Sequence, residues 1–186
     1  MGNKVENITD NIPFDIPNSW EWTRFGNIVQ YNMGKTPPRA ELQWWQPEVS
    51  WVSIADMPPN GRIKNTKEKV SSKAVKNIFA NRASNVGTLL MSFKLTVGRV
   101  SILDINAVHN EAIISIYPFC DSEKRIQNYL FWFLPLLTQY ADSKNAIKGK
   151  TLNSTSINNL LIPFPSITEQ ARITSALQRL ISINLN

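Results

Sequence analysis

Cysteine and histidine are nearly absent from this chain of 186 residues, which has one of each, Cys120 and His109. An internal disulfide and any metal site built from several Cys or His ligands are thereby excluded. The seven glycines stand singly, so no glycine-rich loop exists to cradle a phosphate. Long apolar runs are missing as well. The longest, Leu130 to Leu137, is far shorter than a membrane span. The opening MGNKVENITDN has no apolar core of a secretory signal. No membrane partner and a cytoplasmic location are therefore expected. Strands do not alternate with crossover helices, which argues against a doubly wound fold and against a resident methyl-transfer cofactor.

Basic charge is present in excess. Lys and Arg number 20 against 14 Asp and Glu, a formal net charge of +6. With 42% hydrophobic and 18% charged residues the chain has the composition of a globular domain. A positive balance of this kind favours a polyanionic partner through counterion release and steering.

The pattern predicts an α+β fold with a mixed, mostly antiparallel sheet, short helices and a C-terminal helix. Residues 1–15 read as a polar tail, residues 16–166 as the domain and residues 167–186 as a last helix that packs on its own domain, pairs with another chain or is the stump of a longer helix. Gly26 to Met33 reads as a short helix, and Val49 to Ala55 as a buried strand. Ser71 or Ser72 caps a helix reaching Ala80. Three strand-like runs follow, Gly87 to Phe93, Gly98 to Leu103 and Ala112 to Tyr117, with connections short enough for antiparallel pairing. From Arg125 the period becomes helical, with Ile126, Tyr129, Leu130, Phe133, Leu134 and Leu137 on one face. Pro135 is expected to kink or end that helix near Leu134. Asn159 to Pro165 reads as a short strand. The last helix opens at Ser166 or Thr168, with Ser166-x-x-Glu169 as a capping box and Ile173, Leu177, Leu180 and Asn184 as a short seam.

Catalytic constellations are scarce. A nucleophile pair would need Cys120 with His109, and a metal nuclease would rest on Asp142-Ser143-Lys144. Binding residues are more plentiful. Lys35 and Arg39, then Arg62, Lys64, Lys67 and Lys69, then Lys94 and Arg99, then Lys148 and Lys150 fall in loops or at strand ends, where a scaffold presents side chains to a ligand. They are the candidate DNA-binding residues, with Lys suited to phosphate and Arg to guanine. Trp20, Trp22, Trp44 and Trp45 are available to stack on bases or to fill a core. His109-Asn110-Glu111 is placed either to contact bases or to satisfy a turn, with the turn favoured.

In order, several segments resemble the DNA specificity subunit of Type I restriction–modification systems, in particular one target recognition domain. Ile16-Pro17-x-x-Trp20 with Phe25-Gly26 is similar to that family's entry motif. Gly34-Lys35-Thr36-Pro37 resembles its "GkTP" loop and Val49 to Met57 its "ipWvsi-D" strand. Gly87 to Ser92 with Val97-Gly98-Arg99-Val100 resembles "GtlL-S…iGrva", and Asn110-Glu111-Ala112 falls at its "Nqa". Leu160 to Pro165 with Glu169, Gln170 and Ile173 resembles "iPlP…EQ-rI". The resemblance implies an α+β domain that reads half of a split sequence in double-stranded DNA, followed by a spacer helix. It also implies no catalytic residues and no cofactor in this chain, S-adenosylmethionine being bound by a partner methyltransferase subunit. The implied partners are methyltransferase and restriction subunits, with self-association or a second half-subunit through the C-terminal helix. Only one recognition domain is present and the helix stops at Asn186. A half-subunit acting mainly in assembly is therefore the alternative, and a small nuclease the enzymatic one.

Overall fold

The computed structural model describes residues 12–94, 96–144 and 152–184. Among them lie ten strands and five helices. A small sheet pairs β1 (Glu21–Arg24) with β10 (Leu161–Phe164), antiparallel. The main sheet has five strands in the order β2 (Val29–Met33), β9 (Ile113–Pro118), β6 (Leu89–Ser92), β7 (Val100–Leu103) and β4 (Gly61–Ile63). A third sheet sets β3 (Val49–Val52) between β5 (Glu68–Val70) and β8 (Ala107–His109). Most pairings are antiparallel, whereas β3 with β8 and β4 with β7 are parallel. The α+β class and the three central strands agree with the expectation from sequence.

The helices are α1 (Phe25–Ile28), α2 (Ser72–Asn77), α3 (Arg125–Lys144), α4 (Ser154–Asn159) and α5 (Ile167–Asn184). Ile126, Tyr129, Leu130, Leu134 and Leu137 of α3 are buried against Leu89, Met91, Val100, Ile114 and Ile116 of the main sheet, forming the principal core. This is the face that the helical spacing predicted, with Phe133 only partly buried. The Tyr129 hydroxyl donates to Pro163 O at 2.5 Å, which ties the small sheet to α3. Ser71 caps α2 through Ala74 N, as expected.

Five local expectations are corrected. Residues 26–33 do not form one helix: α1 stops at Ile28 and Val29–Met33 become the edge strand β2, because β9 pairs with them from Val29↔Pro118 to Met33↔Ile114. The strand from Val49 ends at Val52, where Ser53 and Asp56 form a reciprocal capping box around the 3-10 turn Ile54–Asp56. Pro135 does not end α3. Its missing N–H leaves Phe131 O without the usual helical donor, and Asn60 Nδ2 takes that place at 3.2 Å. At α5, Ser166 Oγ accepts from Glu169 N, but the Glu169 carboxylate turns to Arg172 with two bonds of 2.7 Å instead of closing a capping box. Phe14, assigned from sequence to the tail, packs edge-on against Trp22 with ring centroids 5.2 Å apart.

Candidate nucleic-acid interface

Strand registers gather the loops that matter. Met33 faces Ile114, Ser92 faces Ile113 and Met91 faces Val100, so β2 and β6 end where β7 and β9 begin. The connections 34–39, 93–99 and 109–112 therefore share one end of the main sheet. They carry Lys35, Arg39, Lys94 and Arg99. Gly34 N donates to Ile113 O at 3.1 Å, Lys35 N to His109 O at 2.9 Å and Trp51 Nε1 to Lys35 O at 3.0 Å. The parallel β3–β8 pair delivers the Ser53–Met57 turn to the same end, since Val52 faces His109 and accepts from Asn110 N. Asp56 Oδ1 then accepts from Lys67 N at 3.0 Å and draws Lys67 in. Arg62 and Lys64 are not brought there. They lie on the outer strand β4 and just after it, beside Leu103 and Asp104 at the other end of β7. Lys148 and Lys150 lie outside the described residues.

Every arginine of the candidate set is engaged within the fold. Arg39 forks onto both carboxylate oxygens of Glu68, and its guanidinium carbon sits 3.9 Å from the Trp45 ring centroid and 4.9 Å from that of Trp51. Arg62 donates twice to Asp104 Oδ1, at 2.8 and 2.5 Å, which holds that carboxyl below its usual range. Arg99 reaches Ile54 O at 3.4 Å and Met57 O at 3.5 Å, at the end of the 3-10 turn. A base contact from any of them uses the guanidinium donors these acceptors leave open, or exchanges an internal acceptor for the base. Lys35, Lys64, Lys67 and Lys94, in contrast, form no ion pair among the described residues. Lys64 and Lys94 still act at longer range on the Asp104 and Glu111 carboxyls. Glu68 and Asp104, which hold Arg39 and Arg62, carry no short-range sequence signal, whereas Asp56 closes the local Ser53-x-x-Asp56 capping box.

Beneath the loop the Thr36 hydroxyl donates to Glu111 and holds its carboxyl below the ordinary range, with Lys94 and Arg39 adding to the effect. His109 is 4% exposed, and burial pushes its pKa down to about 4. The unfolded chain binds a proton to His109 near pH 6.5 while the native fold does not. Stability from this group is thus complete above about pH 6.5 and declines as the pH falls towards 4, by about 3 kcal/mol. Urea unfolding at pH 7 and pH 4.5 is expected to show a larger loss for the wild type than for His109→Gln. Equal losses would contradict it.

The enzymatic alternatives find little support in this geometry. His109 precedes the start of β9 and Cys120 follows its end, so the strand separates the two members of a nucleophile pair. Asp142 and Lys144 fall in the last turns of α3, where only the backbone is described. Among the described residues no group of three or more His, Cys, Asp or Glu is placed to hold a metal ion, and no helix is long and apolar enough to cross a membrane. Trp44 and Trp45 pack against the Trp51–Val70 cluster and are half-buried, the core reading with a partly exposed rim.

An α+β scaffold that collects basic loops at one end of its sheet belongs to the class of recognition domains. More narrowly, the chain belongs to the family of Type I restriction modification DNA specificity domains, which it matches over residues 17–186. It is 24% identical over 167 residues to the Type I restriction enzyme MjaIX specificity subunit of Methanocaldococcus jannaschii, covering 87% of this chain and 38% of that one. It resembles the crystal structure of the HsdS subunit from Thermoanaerobacter tengcongensis with a TM-score of 0.65 and 20% identity, covering 91% of this chain and 39% of that one. A structure described under complex assembly and conformational transition of the type I R-M system superposes with a TM-score of 0.69 at 18% identity, covering 91% and 40%. The chain thus spans about two fifths of the relatives it matches.

Proposed function

We propose that this domain reads a short half-site in double-stranded DNA for a Type I restriction–modification assembly. The observation that carries the reading is the convergence of Lys35, Lys67 and Lys94, none in an ion pair among the described residues, on one end of the sheet. These lysines, with Lys64, Lys148 and Lys150, neutralise phosphates and set the register. Arg39, Arg62 and Arg99 discriminate bases with the guanidinium donors that their internal acceptors leave open, or by exchanging those acceptors for a base. Residues 16–166 form the recognition domain, and the helix from residue 167 is the beginning of a spacer. The chain performs no chemistry of its own. Partner methyltransferase and restriction subunits act where it binds, with S-adenosylmethionine held by the former.

A salt titration against random and selected duplexes tests this reading. Log affinity is expected to fall linearly with log salt, by about 0.9 per neutralised phosphate, while the selected duplex keeps its advantage. Affinity that ignores salt, or equal binding of all duplexes, would overturn it. A second reading, assembly through the last helix, is favoured by Leu180 and Ile181, exposed to 58% and 39%. Sedimentation of the chain with and without residues 168–186 decides it, since an unchanged mass excludes helix-driven association.

A further inference from the structure

The connection between β2 and β3 holds a segment that the interface above leaves unused, Glu41 to Gln46. Its 3-10 turn, Leu42–Trp44, is closed by Trp44 N to Glu41 O at 3.0 Å and Trp45 N to Leu42 O at 3.1 Å. Side chains then lock it. Trp44 Nε1 and Gln43 Nε2 both donate to Glu41 Oε2 at 2.9 Å, Trp45 Nε1 donates to Pro38 O at 3.1 Å, and Gln46 Nε2 donates to Leu42 O at 2.8 Å. Two tethers reach the rest of the domain. Ser71 N donates to Trp44 O at 2.9 Å, and Lys73 Nζ donates to Gln43 Oε1 at 2.8 Å while lying 5.3 Å from the Trp44 ring centroid. At the apex of this fastened turn stands Leu42, 74% exposed, the highest exposure of any large apolar side chain among the described residues.

A rigid base that presents a leucine to water forgoes about 25 cal/mol for each Å² of apolar surface left wet. The surroundings indicate what covers it. Residues 62–76 hold six basic side chains, Arg62, Lys64, Lys67, Lys69, Lys73 and Lys76, against one acid, Glu68, which Arg39 occupies. Lys69 is exposed on β5 and Lys67 is exposed just before that strand, while Lys73 and Lys76 are three apart on α2. The nearby acids already accept internal donors, Glu41 from Trp44 and Gln43, and Glu48 from Ser72 N at 2.9 Å. The occupant that fits is therefore a polyanion with an apolar spot in a groove. Duplex DNA has one in the thymine 5-methyl group of the major groove.

We propose that Leu42 is a specificity-determining residue that packs on a thymine methyl group, while Lys69, Lys73 and Lys76 grip the flanking phosphates. Gln43 and Gln46 hold this turn with their side-chain amides, which leaves the apolar Leu42 side chain as the group the turn presents. This rests on the reading of the domain as a sequence-specific DNA binder. The experiment keeps the two separable. The full chain selects its preferred sequence from a random duplex library, and each thymine in that sequence is then replaced by uracil. At one thymine, loss of the methyl is expected to weaken wild-type binding about fourfold, the equivalent of one methylene's burial. Leu42→Ala is expected to be insensitive to the same swap, with an unchanged salt slope and an unchanged melting temperature. Uracil swaps without effect on the wild type, an equal loss in Leu42→Ala, or a selected sequence lacking thymine each overturn the assignment while the DNA reading stands. Failure to enrich any sequence overturns both.

Discussion

Gly34→Ala is expected to melt well below the wild type and to lose duplex affinity with it. A Cβ at this position would lie 2.1 Å from His109 O, 2.2 Å from Asn110 O and 2.4 Å from His109 Nδ1. The first two are backbone atoms of the turn between β8 and β9, and that turn is pinned by Asn110 N to Val52 O at 3.0 Å and by Lys35 N to His109 O at 2.9 Å. Neither strand end can withdraw without breaking the bonds that join the two sheets. The backbone at Gly34 is not left-handed, so the penalty is purely one of space. Gly98 differs, with φ at +81° and the Thr138 hydroxyl 1.9 Å from its would-be Cβ. Gly87 shares the left-handed backbone, with φ at +85°, but its nearest neighbour is the flexible tip of Lys124. Overpacking against fixed backbone at Gly34 costs about 3 kcal/mol, or about 6–12 °C in melting temperature for a chain of this size. The loop carrying Lys35 and Arg39 is lifted in the process. Thermal melts and duplex titrations at one salt concentration check both effects, and a variant indistinguishable from the wild type would show that the turn yields.

Legibility from sequence followed the range of the interactions. β6, β7 and β9 were visible because their residues are buried on both faces and separated by short turns. The buried face of α3 was visible because its spacing is local. β2 was misread as helix because only β9, some eighty positions away, makes it a strand. Where Pro135 sits in α3, the carbonyl it leaves without a donor is met by Asn60, a residue from a distant turn with φ at +48°. β8 is three residues long and was missed altogether. In the candidate interface the basic residue types were legible, whereas their pairing was not. Arg39 meets Glu68 across 29 positions, Arg62 meets Asp104 across 42, and Thr36 meets Glu111 across 75. Those separations turn arginines that look available in sequence into compensated ones. They also leave lysines as the principal source of outward charge.

That division of labour gives the largest effect expected on binding. Lys35, Lys67 and Lys94 come from three different loops, yet lie at one end of the sheet without ion-pair partners among the described residues. If each neutralises one phosphate, each adds about 0.9 to the slope of log affinity against log salt. The triple replacement by glutamine then lowers the slope by about 2.7 and, at about 0.1 M salt, lowers affinity several hundredfold relative to the wild type. Stability is expected to change little, since Lys35 and Lys67 are exposed, Lys94 is partly exposed, none forms an ion pair among the described residues, and the Lys67 contact to Asp56 is made by its backbone. The matched control is Arg39→Gln with Glu68→Gln. It removes a compensated pair and so leaves the salt slope nearly constant unless Arg39 exchanges Glu68 for DNA in the complex. A reduced slope in that control would place Arg39 on the nucleic acid. A triple lysine variant that keeps the wild-type slope would instead remove this end of the sheet from the interface and move attention to Arg62 and Lys64 at the other.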